Sequence, residues 1–132
     1  MKHFTIEELT SSATAEARGI CNTPPPEAVE ALTRLVTQVL DPLREAWGAP
    51  IRVTSGYRST ELNRAVGGVP HSQHTLGEAA DVSLGAPSLN ARLWKLLRQL
   101  NLPIDQAINE HDFQWLHISC GPRNRRNYMA QR

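Results

Sequence analysis

The chain has 132 residues, of which 40% are hydrophobic and 20% charged, and a formal net charge of +1. That length gives one domain with a real hydrophobic core, and the near-neutral balance excludes a general attraction to nucleic acid. No stretch approaches the ~20 apolar residues that span a bilayer, and no apolar run follows Met1-Lys2-His3-Phe4, so neither membrane insertion nor a signal peptide is expected. Synthesis in the cytoplasm is the corresponding expectation. Cys21 and Cys120 form no close pair, which excludes a cysteine zinc site by spacing and favours free thiols.

Thr5 and Glu8 fit a capping box, with Phe4 before the cap as a hydrophobic staple, and predict a short helix from Ile6 to about Ser11. From Ser11 to Pro26 the chain is poor in large apolar residues, contains Gly19, Asn22 and three consecutive prolines, and reads as an irregular connection. From Glu27 onward Leu32, Leu35, Val36, Val39, Leu40 and Leu43 recur at spacings of three and four, the stripe of a buried helix. Pro42 interrupts it. Either the helix kinks there, or a new one starts with Asp41 as cap, running to Trp47 and stopped by Gly48.

Residues 51–55 alternate and are β-branched, as a short strand does. Thr60 to Val66 predicts a small helix ended by Gly67-Gly68, and 69–77 a loop. Ala80 to Leu84 predicts a strand with Asp81 and Ser83 on one face and Val82 and Leu84 on the other. A helix capped by Ser88 follows, with Leu89, Leu93, Leu96, Leu97 and Leu100 buried, Trp94 at its flank and Pro103 closing it. Strands at 104–108 and 115–119, joined by the polar stretch 109–112, suit a hairpin. The fold class is α+β: a small, mainly antiparallel sheet with helices packed on it. One domain spans 1–132, with 1–26 as an N-terminal helix plus irregular segment and 123–132 as a tail made basic by Arg123, Arg125, Arg126 and Arg132. The tail is read first as a solvated terminus and second as a contact for an anionic partner.

Of the five histidines, His117 lies in a strand where Leu116 and Ile118 point to the core, so it faces the other way. His74 sits in a polar loop just before Gly77, and a reversal at that glycine brings the chain back so that Asp81 meets His74. Two imidazoles and one carboxylate are a normal protein set for a catalytic zinc that keeps one position for water. Hydrolysis also needs a carboxylate to take the water's proton and a cation or donor for the oxyanion. Glu110 is the first choice for the carboxylate, with Asp112 beside it and Glu78 weaker; Arg58, leaving its strand after Gly56-Tyr57, is the cation. Ser72 and Gln73 are expected to donate hydrogen bonds at the cleft edge.

Several stretches together resemble a known family. They are Phe4 to Leu9, Ser55-Gly56-Tyr57-Arg58-Ser59 with Asn63, Ser72-Gln73-His74 through Gly77 to Ala79-Ala80-Asp81, Asp105 to Glu110, and Trp115-Leu116-His117-Ile118-Ser119. In order and spacing they resemble the small zinc peptidases of the D-alanyl-D-alanine carboxypeptidase group, which share a fold with the Hedgehog signalling domain. The resemblance is greatest to the single-domain, phage-endolysin-like branch. It implies one Zn2+ held by His74, Asp81 and His117, with Arg58 helping to hold or polarise the substrate; Ser72, Gln73, Tyr57 and Trp115 are the further residues expected against the substrate. It also implies a peptidase acting on peptidoglycan stem peptides, most of all an L-alanyl-D-glutamate endopeptidase, with D-alanyl-D-alanine carboxypeptidase as the alternative. Partners expected on this basis are the wall peptide and a holin or other release system, with the chain acting as a monomer outside the cytoplasm after release. One position departs from the family: many relatives have a glutamate base three residues before the last histidine, where this chain has Gln114. Either Glu110 or Asp112 takes that role, or the domain is a non-catalytic zinc module that binds wall peptides or a protein partner.

Overall fold

The computed structural model describes residues 1–131; Arg132 of the basic tail lies outside them. Thr5 caps α1 (Ile6–Thr10) by accepting from the Glu8 amide, as the capping box requires. The next stretch is not irregular. Ser12 accepts from the Ala15 amide and Gly19 takes the left-handed conformation, and between them lies α2 (Ala13–Arg18). Only Ala15 of this helix is buried, so it shows no apolar stripe, although its two caps stand in the sequence.

The long apolar stripe folds as α3 (Pro26–Leu35), a π-helical turn (Val36–Leu40) and α4 (Asp41–Trp47), ended by left-handed Gly48. The π turn resolves the position of Pro42. Proline gives no N–H and clashes with the carbonyl four residues back; a wider turn absorbs both, and the Asp41 amide bonds to the Val36 carbonyl five residues earlier. Asp41 is therefore helical rather than a cap. Its carboxylate accepts from the backbone amides of Lys2 and His3 at 2.7 and 3.0 Å and fastens the N-terminus.

Five strands form one sheet in the order β1-β2-β4-β3-β5: β1 (Arg52–Ser55), β2 (Ala79–Ser83), β3 (Gln106–Glu110), β4 (Trp115–Ser119) and β5 (Asn127–Gln131). All neighbours are antiparallel except β3 and β5. β3 begins two residues later than expected, a shift that keeps the alternation in phase but moves Glu110 from the connection onto the strand. β5 is the larger difference. Part of the basic tail pairs along the edge of β3, and only Tyr128 of β5 is even half-buried, so no alternation marks the strand.

Helix α5 (Thr60–Ala65) follows β1, capped by Ser59. Helix α6 (Pro87–Leu100) starts with Pro87 in its first turn and Ala86, not Ser88, at the cap position. One face of the sheet carries Ala80, Val82, Ala107, Leu116 and Ile118, all fully buried against Leu32, Leu35, Val36, Leu40, Leu93 and Leu97 of the helices. The opposite face carries Asp81, His117, Ile108 and Glu110. The core side thus fixes the strand register, since a one-residue slip would turn every apolar side chain outward.

A fully buried asparagine ties α6 to this sheet. Asn90 accepts from the Leu84 amide at 2.7 Å and donates to the carbonyls of Phe113 and Gln114 at 2.9 and 3.1 Å. The turn it holds contains His111, Asp112 and Phe113, all at positive φ, a conformation that costs roughly 1–2 kcal/mol per residue. Asn109 assists by accepting from the Phe113 amide at 2.6 Å. Replacing Asn90 with leucine takes this partner from the Leu84 amide and the Phe113 carbonyl, and leaves the Gln114 carbonyl only the Ser83 hydroxyl at 3.3 Å. Urea denaturation should show a loss of about 2–4 kcal/mol, and a loss below about 0.5 kcal/mol would contradict this role.

Candidate metal centre

Three elements bring the chemical side chains together. Asp81 of β2 and His117 of β4 stand directly opposite one another on the open face of the sheet, and the same row continues to Ile108 on β3. His74 comes from a 3-10 turn (Gln73–Leu76) capped by Ser72 and closed by left-handed Gly77. At Gly77 a β-carbon would meet the carbonyl of Ala28, so the tight reversal requires glycine twice over. Gly56 is constrained in a similar way, because a β-carbon there would run into the backbone carbonyl of Leu9. That approach aims the Gly56 carbonyl at His74, whose Nδ1 donates to it at 2.7 Å, and the Arg58 amide donates back to the His74 carbonyl at 3.1 Å. With Nδ1 engaged, Nε2 of His74 carries the free lone pair.

One ligand atom from each of His74, Asp81 and His117 lies within 4.8 Å of the others. His117 Nδ1 is 3.0 Å and His74 Nε2 3.3 Å from the same carboxylate oxygen of Asp81. Burial pushes the Asp81 carboxyl up, but the His117 and His74 imidazoles that face it outweigh burial and hold the group well below the usual carboxylate range. A buried, ionised carboxylate flanked by two imidazoles, one with its tautomer fixed by a backbone carbonyl, fits a zinc ion in donor type and in outer support.

A cleft of about 630 Å3 opens over this trio. Arg58 lines it, with its Nη2 3.6 Å from Asp81 and its other nitrogens bonded to Ser55 and Asn63 at 3.1 Å each. Glu110 also lines it from β3; burial pushes its carboxyl above the ordinary glutamate range, toward that of a useful base. Ser72, Gln73 and Trp115 are on the wall, as expected. Other expected residues are elsewhere. Tyr57 is buried in the core and borders a separate depression beside β1. Asp112 is exposed on the strained turn and is not on the cleft wall, because three left-handed residues carry the chain away from the sheet face. Glu78 faces Gln73, and Gln114 is exposed, its carbonyl engaged by Asn90.

The structure adds wall residues that the sequence did not assign to the site: Gln106, His71, His111, Arg123 and Arg125. Gln106 was detectable, being in phase with Ile108 and Glu110. It also adds a lock beneath the cleft. Asp105, 1% exposed, accepts from Arg125 at 2.7 and 3.1 Å and from the Gln73 amide at 3.0 Å, joining the C-terminal segment to the loop of His74. Hydrogen bonding from Arg125 lowers the Asp105 carboxyl more than burial raises it. The stability that Asp105 confers is therefore full above the unfolded carboxylate value near 4 and is lost as pH falls through the lower folded value. Asp105→Asn should cost stability at pH 7 and progressively less below about pH 4. An equal cost at pH 7 and at about pH 2, read by urea denaturation, would contradict the ion-pair account.

A family model described as Peptidase M15 matches residues 2–119. No curated protein matches the chain. The match covers most of the sequence, including every residue of the trio, and the chain belongs to the M15 peptidases, a family of zinc-dependent enzymes.

Proposed function

From a chain of the M15 peptidase family, we propose a zinc peptidase that hydrolyses amide bonds in peptidoglycan stem peptides, first of all the bond between L-alanine and D-glutamate. The observation that carries this reading is the convergence of His74, Asp81 and His117 at the floor of a cleft that Glu110 and Arg58 also line. His74, Asp81 and His117 hold the ion, whose chemistry is to make water nucleophilic near neutral pH and to polarise a carbonyl. Glu110 accepts the proton of the attacking water and delivers it to the leaving nitrogen. Arg58, kept in place by Ser55 and Asn63, offers its guanidinium to the oxygen on which negative charge develops. Trp115, its ring tilted against that of His111 with centroids 4.9 Å apart, gives the peptide an apolar wall.

Glu110 takes the part that Gln114 leaves vacant. A carboxylate on the cleft face with a raised proton affinity serves it better than Asp112, which is off the wall. The second reading, a zinc module that binds wall peptides without cutting them, draws on Gln114 alone, since a neutral amide cannot take the proton. The proposed place of action is the wall, with a holin or a comparable route as the proposed means of release.

The test is incubation of zinc-loaded protein with purified peptidoglycan, followed by mass analysis of released fragments. New amino groups on D-glutamate are the expected result; release of free D-alanine instead identifies the carboxypeptidase alternative. Glu110→Gln should lower the rate roughly 10²- to 10⁴-fold, whereas Asp112→Asn should lower it less than threefold. No new amino groups from the wild type would leave only the binding module, and equal rates for Glu110→Gln and wild type would remove Glu110 as the base.

A further inference from the structure

Beyond the family-matched residues 2–119 the chain runs through a loop into β5, and that segment contributes two arginines to the wall of the metal cleft, Arg123 and Arg125. The segment is firmly held. Arg125 is bonded to buried Asp105, the Arg126 amide donates to the Ile104 carbonyl at 3.1 Å, and the Asn127 amide donates to the Asp105 carbonyl at 3.0 Å. From there β5 pairs with β3 over its whole length. Asp105 also accepts from Gln73, beside the ligand His74, so the loop and the metal site are fixed to the same buried carboxylate.

The charges on the wall are unequal in their engagement. Arg58 faces Asp81, and Arg125 is spent on Asp105. Arg123 is exposed to the cleft and makes no ion pair or hydrogen bond within the described residues. The acids on the wall, Asp81 and Glu110, have other roles: one belongs to the metal trio and the other stands ready as a base. A guanidinium held at the edge of a catalytic cleft, with no internal partner, is suited to two-pronged pairing with a carboxylate.

We propose that Arg123 selects the substrate by pairing with a free carboxylate of the peptide, so that this cleft prefers acidic stem peptides to their amidated forms. The assignment rests on the reading of the site as one for wall peptides. It makes the C-terminal segment a specificity element added to the catalytic domain. A D-glutamate whose α-carboxylate is free satisfies Arg123, and an isoglutamine at the same position does not.

The experiment is calorimetric titration of the zinc-loaded protein with a stem tetrapeptide N-methylated at its alanyl–glutamyl amide, so that this bond is not cut. The peptide is used in two forms, with the α-carboxylate free or amidated. Wild type should bind the free acid roughly five- to tenfold tighter than the amide. Arg123→Gln should bind the two alike, and Arg123→Lys should keep part of the preference. Arg126→Gln, altered on the same loop but off the cleft wall, should keep all of it. Equal binding of the two forms by wild type, or a preference that survives in Arg123→Gln, would overturn the proposal. Cleavage of the unmethylated peptides is read separately. A preference without cleavage upholds Arg123 and defeats the peptidase reading; cleavage without a preference does the reverse.

Discussion

Asp81 is a carboxylate taken out of water on the open face of a sheet, and such a group is costly to bury unless its charge is met. Two imidazoles meet it here, at 3.0 and 3.3 Å on one oxygen, with the Arg58 guanidinium 3.6 Å from the other. Each of these partners reaches Asp81 by a different structural route. His117 arrives by strand pairing, His74 by a short turn bent at Gly77, and Arg58 by the loop that leaves β1. The site is therefore only as exact as the register of β2 on β4 and the grip of Gly56 on His74.

The rest of the fold secures those two features. The apolar face of the sheet rests on α3, α4 and α6, so the strands have one register in which both faces are satisfied. Asn90 and Asn109 hold a turn of left-handed residues and thereby fix the β3–β4 hairpin, which carries Glu110 and His117 together. Asp105 joins the far edge of the sheet to the loop before His74. Catalytic clefts commonly depend on such buried polar ties, because they fix orientation where apolar packing fixes only distance.

Much of this was legible beforehand, for physical reasons that differ by element. The trio could be found because strand alternation states which way His117 and Asp81 point, and because Gly77 is a turn residue by chemistry. The long helix was visible as a stripe, but the π turn was not, since the register shift at Pro42 leaves the stripe almost unaltered. Helix α2 and strand β5 escaped because they bury almost nothing: Ala15 in one, half of Tyr128 in the other. Missing β5 meant reading Arg123 and Arg125 first as a solvated tail and only second as a contact for an anionic partner, with no place for them on the cleft wall. The fate of Asp112 was likewise hidden, since three consecutive left-handed residues have no signature without glycine.

The proposed hydrolysis depends on His74, Asp81 and His117 binding one zinc ion. Elemental analysis of the purified protein, dialysed against zinc and then against buffer, tests that directly. The account predicts about one zinc per chain in the wild type and far less in Asp81→Ala and His117→Ala variants that keep the wild-type circular dichroism. A wild type that retains no zinc, or variants that retain it in full, would contradict it.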